Sequence, residues 1–76
     1  MSKKSQLKKA IEDCEREIEA YEHKRERSQT AIMRAMLAGQ KTAPEDEQYF
    51  TLFSNLIDQE RENLRKLQSE LNELKK

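Results

Sequence analysis

Apolar positions recur along the first half of the chain at alternating spacings of four and three. Leu7, Ile11, Cys14, Ile18 and Tyr21 set the stripe, and Arg25, Ser28, Ile32 and Ala35 continue it. The second half repeats the pattern with Phe50, Phe53, Ile57, Glu60, Leu64, Leu67, Leu71 and Leu74. A 3.5-residue period is that of helices packed along a narrow seam. Between the stripes lie the chain's one glycine and one proline. The pattern therefore predicts an all-α fold: an antiparallel, coiled-coil-like hairpin forming one domain over 1–76, with a helix over about 4–38, a turn over 39–43 and a helix over 44–75. Folding back near Thr42 sets Ile11 against Leu74, Cys14 against Leu71, Ile18 against Leu67, Tyr21 against Leu64, Ile32 against Phe53 and Ala35 against Phe50. In that register Arg25, the one charge in the first stripe, faces Glu60, the one charge in the second. An ion-paired layer would then fix the register.

Local signals agree with a hairpin. Gly39 suits the left-handed residue that closes a helix. Thr42-Ala43-Pro44-Glu45 reads as a helix start, with Thr42 capping, Glu45 reaching back and Pro44 in the first turn, where a missing N–H costs nothing. Glu45, Asp46 and Glu47 favour the positive end of the second helix, and Lys75 and Lys76 its negative end. Lys3, Lys4, Lys8 and Lys9 oppose the dipole of the first helix, so that end is expected to fray.

Composition narrows the function. At 76 residues, with 39% charged and 34% hydrophobic, the chain can bury little, and a lone two-helix hairpin is expected to need a partner or a second copy to complete it. Fifteen basic and fifteen acidic residues are interspersed without a basic face, which argues against nucleic acid. No apolar run approaches the roughly 20 residues of a membrane span, and the lysines near the start precede no apolar signal segment. The single cysteine forms no internal disulfide, which fits a cytoplasmic location.

Candidate chemistry is sparse. His23, with Glu19 four residues before it and Glu26 three after, would need matching ligands from the second helix, which has neither His nor Cys, so no metal site is expected. Cys14 occupies a stripe position without a neighbouring His and reads as a small buried hydrophobe. Glu12, Asp13, Glu15, Glu17 and Glu19 spread around their helix, and no glycine-rich loop exists. Neither an enzyme nor a cofactor is expected.

Around the turn the chain carries more apolar residues than a seam requires. Met33, Met36, Leu37, Tyr49, Leu52 and Leu56 lie outside the stripes. Met33 and Leu37 are neighbours at i, i+4, as are Leu52 and Leu56, so both helices widen their apolar surface at the turn end. A wide apolar zone on an otherwise polar hairpin is the expected footprint of a protein partner, or of a second hairpin in a four-helix bundle.

Met36-Leu37-Ala38-Gly39, then Pro44-Glu45, then Gln48-Tyr49 with apolar residues following at helical spacing, resembles the small helical-hairpin co-chaperones of bacterial type III secretion needles, the YscE/EscE/SsaE-like proteins. The resemblance covers about residues 32–64; the segment between Gly39 and Gln48 is longer, and the first helix more charged, than that pattern. It implies a cytoplasmic protein without catalysis that joins a tetratricopeptide-like chaperone in holding a needle subunit as a soluble monomer before export. On that model the residues beside the turn contact the partner.

Overall fold

Long runs of Lys, Glu, Arg, Gln, Ala and Leu favour helix, and the breakers fall between the two stripes. The computed structural model describes residues 2–75. Among these the chain is two α-helices, α1 (Lys3–Leu37) and α2 (Pro44–Lys75), packed antiparallel as an all-α hairpin. The rod measures 56 × 16 × 16 Å. With 35 residues in α1, at about 1.5 Å per residue, one helix accounts for nearly the whole length.

The ends of the helices show why they begin and stop where they do. Ser2 is extended, and its hydroxyl accepts the Ser5 N–H at 3.2 Å while its carbonyl accepts that of Gln6 at 3.0 Å. This cap anchors the lysine-rich start that the dipole argument expects to fray. At the other end of α1, Gly39 takes φ 66°, the Gln40 N–H bonds to the Ala35 carbonyl at 2.8 Å and the Gly39 N–H to that of Met36 at 3.1 Å. This is the Schellman closure, and it turns the chain back at Gly39 rather than at Thr42. At the start of α2, the Ala43 carbonyl accepts from Asp46 at 3.1 Å and from Glu47 at 3.3 Å. Ala43 is therefore the cap residue and Pro44 the first helical one. Thr42 sits one position too early to close a capping box with Glu45, and its hydroxyl donates to the Glu47 carboxylate instead. Lys76 lies outside the described residues.

The core is a single file. Leu7, Cys14, Ile18 and Ile57 are buried, Ile57 completely, and Tyr21, Leu64 and Leu67 pack against the Cys14–Ile18–Ile57 cluster. The stripes meet as the sequence predicts, but not in the predicted register. The Cys14 thiol donates to the carbonyl and a carboxylate oxygen of Glu60, each at 3.2 Å. Tyr21 and Phe53 have ring centroids 6.1 Å apart. Arg25 lies over the Phe50 ring at 5.9 Å and donates to the Ser54 hydroxyl at 3.5 Å. Glu60 thus faces Cys14, and Arg25 faces an aromatic ring; the Arg25–Glu60 layer does not form. Cys14 misses Leu71, and Phe53 and Phe50 meet Tyr21 and Arg25 instead of Ile32 and Ala35.

The slip is about three turns, close to 16 Å along the axis. Its cause lies in the connection. Ser28 and Asp46 line one surface cleft, which puts the start of α2 beside the residues just after Ser28, while α1 continues to Leu37. After the reversal at Gly39, the irregular residues 40–43 retrace roughly two turns of α1 before α2 begins. The last turns of α1 project beyond the start of α2.

Ile57→Ala removes the one fully buried large side chain of the seam. It is expected to cost about 2–5 kcal/mol, enough to melt a core this small, whereas Leu74→Ala, at a site 44% exposed, should change the thermal midpoint little. Gly39→Ala has room for its Cβ but not the backbone for it, and should cost about 1–2 kcal/mol. Circular dichroism melts of the three variants check this ranking.

Candidate protein-binding surface and the interhelical polar cluster

Five of the six surplus apolar residues stand in solvent. Leu37 is 87% exposed, Met36 68%, Met33 and Tyr49 54% each and Leu52 48%, whereas Leu56 is half-buried. They divide into two groups. Lys24 lies over Phe53 at 5.8 Å and shares a cleft with Arg27, Ser28, Asp46 and Tyr49. Arg25, the next residue of α1, reaches Phe50 and Ser54 instead. Lys24 and Tyr49 therefore mark one side of the seam, and Arg25 and Phe50 the other. Leu52 and Leu56, three and seven residues after Tyr49, remain on its side. Met36 follows Arg25 by about three whole turns and lies on the Arg25 side, at the projecting end of α1, with Met33 and Leu37 further round. The single wide zone expected from sequence is in fact an apolar flank on α2 and an apolar tip on α1. Sequence spacing places Met33, Met36, Leu37, Tyr49 and Leu52 outside the seam but does not show that Leu56 is half-buried or that the two groups are separate, because that depends on the register.

The flank is built on aromatic packing. Tyr49 stacks on Phe53 with centroids 6.3 Å apart and ring planes 16° apart, and Phe53 continues to Tyr21. This fixes Tyr49 while leaving half of it in solvent, and Leu52 lies beside it in a shallow cleft with Pro44, Glu47, Gln48, Thr51 and Asn55. A rigid, amphipathic ring beside aliphatic groups suits protein contact.

The polar cluster at the middle of the seam escaped the sequence reading. Glu17 of α1 meets Glu60 of α2, and repulsion from Glu60, followed by hydrogen bonding to it, pushes the Glu17 carboxyl above the ordinary carboxylate range. Burial, and then the Glu60 carboxylate, push the Cys14 thiol up to about 11. The thiol is consequently protonated near neutrality and a poor nucleophile. Elsewhere the charges pair along the surface: Arg16 with Asp13 at 3.1 Å, and Arg65 with Glu62, which lowers the Glu62 carboxyl. His23 is exposed and stands 4.0 Å from Glu26. Among the described residues no group of three His, Cys, Asp or Glu side chains is placed to hold a metal ion, and no helix is long and apolar enough to cross a membrane.

Compared with protein-family models, curated proteins and solved structures, the chain matches none.

Two measurements follow from the cluster. Cys14 should react with a bulky aromatic disulfide much more slowly in the native chain than in denaturant, and native labelling should accelerate only as pH rises toward about 11. Stability should also depend on pH. Because Glu17 binds its proton more tightly when folded, its contribution is complete below the ordinary value of 4.5 and is lost as pH rises through the raised value. The lowered Glu62 contributes in the opposite sense, above 4.5, and that is lost on further acidification. The thermal midpoint should therefore rise as pH falls from neutrality toward 4.5 and drop again on further acidification. Glu17→Gln should raise the midpoint at neutral pH and abolish the first limb.

Proposed function

We propose that this chain is a non-enzymatic, protein-binding hairpin whose stable form is a complex. The observation that carries this reading is the ratio of exposed to buried apolar groups: Leu37, Met36, Met33, Tyr49 and Leu52 face solvent, while Leu7, Cys14, Ile18 and Ile57 are the buried apolar core. Ordering each residue costs about 1.5 kcal/mol, so a single file of core residues leaves a hairpin that gains much from being covered. The solvent-exposed Met33, Met36 and Leu37 at the tip supply adaptable apolar contact, and the stacked Tyr49 on the flank supplies a rigid one.

In its most concrete form the proposal is the one implied by the resemblance. A cytoplasmic co-chaperone of type III secretion would join a tetratricopeptide-like chaperone, and the pair would keep a needle subunit from polymerising before export. A helical-repeat partner offers a concave surface that can receive a rod 16 Å across, and the projecting end of α1 is the part free to enter it. A second reading is a homodimeric four-helix bundle. Lys24, Arg27 and Asp46 border Tyr49 on one side of the seam, so a second hairpin laid antiparallel could pair opposite charges around an apolar flank.

Leu52→Asp on the flank and Leu37→Asp at the tip test both. Each carboxylate should leave the far-ultraviolet dichroism nearly unchanged, because both side chains already face solvent, while Ile57→Asp should unfold the chain. Binding to a co-expressed tetratricopeptide-like chaperone should weaken at least ten-fold, about 1.4 kcal/mol or more, in at least one surface variant. If Leu52→Asp instead converts a wild-type dimer to monomers in sedimentation equilibrium, the homodimer reading replaces the first. A wild-type chain that is a stable, fully folded monomer with no partner affected by either variant overturns the proposal.

A further inference from the structure

The flank that carries Lys24, Tyr49 and Leu52 holds charges that its own hairpin leaves unmatched. Glu17 has Asp13, Cys14, Ala20 and Tyr21 at the i±3 and i±4 positions, Lys24 has Ala20, Tyr21, Arg27 and Ser28, and Arg27 has His23, Lys24, Thr30 and Ala31. None of the three has an opposite charge within reach along α1. Across the seam, Glu60 accepts from the Cys14 thiol about one turn from Glu17 and so adds a second acid, while Lys24 lies over the Phe53 ring at 5.8 Å. Asp46 shares the cleft of Lys24 and Arg27, and among the described residues no ion pair joins it to either. Their order along the helix is regular. Asp13, Glu17, Ala20, Lys24 and Arg27 follow one another at spacings of four and three, which places them on one stripe beside the seam, and Ala10 and Ala31 extend it at each end. The stripe reads acid, acid, alanine, base, base.

Such an order is complementary to itself when reversed. A two-fold axis across the rod at Ala20 sets Glu17 against Lys24 of a second copy and Asp13 against its Arg27, each pair occurring twice by symmetry. Ala20 then meets Ala20 at the axis and Ala10 meets Ala31 towards the ends, so the two α1 helices have no bulky side chain between them. α2 selects the same axis independently. Leu52 and Leu56 lie two residues before and after Ser54, and a two-fold at that level sets Leu52 of one copy against Leu56 of the other. Tyr21 and Phe53, the neighbours of Ala20 and Ser54, have ring centroids 6.1 Å apart, so both midpoints stand at one height along the rod. One axis serves both helices. It also brings the exposed Tyr49 to Glu60 of the other copy, a phenol donor to a carboxylate. A two-fold along the rod would instead lay α1 on the other copy's α2 and bring Asp13 and Glu17 to Glu60, acid against acid.

We propose that two copies of the hairpin pair antiparallel through this flank about a two-fold axis at Ala20, with Glu17–Lys24 and Asp13–Arg27 pairs between copies and Leu52 against Leu56 at the centre. The proposal rests on the homodimer reading and gives it a geometry. Residues 10–31 span about 32 Å of a rod 16 Å wide, so the face is roughly 500 Å² on each copy and roughly 1,000 Å² in all, where specific interfaces begin. Asp13 keeps its 3.1 Å contact with Arg16 and gains Arg27 of the other copy. Met33, Met36 and Leu37 lie off this flank and stay uncovered. Because the copies run in opposite directions, their tips stand about 50 Å apart at the two ends of the dimer. A chaperone held at a tip would therefore use a different face from the second copy, and one dimer would offer two such sites.

Charge exchange and cross-linking test the axis. The full chain should sediment at equilibrium as a dimer, and Glu17→Lys and Lys24→Glu should each weaken the dimer about ten-fold or more. Combining them opposes unlike charges again and should restore the dissociation constant to within about three-fold of the wild type. Glu17→Lys also gives Glu60 a cation within its own hairpin, so a weaker dimer with an unchanged or raised dichroism melt is not a loss of folding. In a Cys14→Ala background, a short bis-maleimide should join Ala20→Cys to its own copy in far higher yield than Met36→Cys, although both positions are exposed. A dimer that links through Met36→Cys and not through Ala20→Cys overturns this geometry while leaving the homodimer reading in place. A double exchange that fails to restore the dimer overturns it as well. A folded wild-type chain that stays monomeric overturns the dimer altogether, and binding of a chaperone to Leu37→Asp then still tests the heterocomplex.

Discussion

Everything in this molecule depends on one seam. Two helices have only each other to pack against, so each apolar side chain either enters the line between them or remains in water. A third helix or a sheet would give a residue such as Leu52 a second place to be buried. Here it has none, and the line is one residue wide. Burial is accordingly scarce, and it is concentrated where Cys14, Ile18 and Ile57 meet. The remaining properties of the chain, from the exposed tip to the uncomfortable carboxylate pair, are results of how that single line is aligned.

Alignment is also where reading the sequence reached its limit. The period of the stripes, the breakers between them and the left-handed glycine were enough to specify two antiparallel helices, because each is a local property of consecutive residues. Register is not local. An apolar stripe of period 3.5 looks nearly the same after a slide of any whole number of turns, so the pattern alone left the alignment open. The charge match between Arg25 and Glu60 favoured one alignment, and the chain adopts a different one. The deciding element is the Schellman closure at Gly39, which reverses the chain before Thr42 and leaves residues 40–43 to run back along α1. Pro44, by fixing Ala43 as the cap, settles where α2 can begin.

The candidate surface was legible in the same partial way. Spacing identified Met33, Met36, Leu37, Tyr49 and Leu52 as surplus to the seam, and all five are exposed. It could not show that they fall on two sides of the rod, since sidedness across a pair of helices requires knowing which residues face each other. Lys24 on Phe53 and Arg25 on Phe50 supply that knowledge. The Glu17–Glu60 contact was hidden for the same reason: Glu17 lies beside the stripe, and only the actual alignment brings it to Glu60.

The slipped alignment has a mechanical consequence. α1 overhangs at the turn, so at the opposite end Lys3 and Lys75 lie nearly level, and the first residue of α1 and the last of α2 sit at the same tip of the rod. A load applied through those ends pulls the helices apart transversely, one layer at a time, instead of shearing the whole line at once. The Leu7 layer meets the force first and the Cys14–Ile18–Ile57 cluster only later. Resistance at any moment is that of a single layer, so the rod opens like a zipper from its ends, and the layers next to the turn, where Tyr21 meets Phe53 and Arg25 meets Phe50, part last.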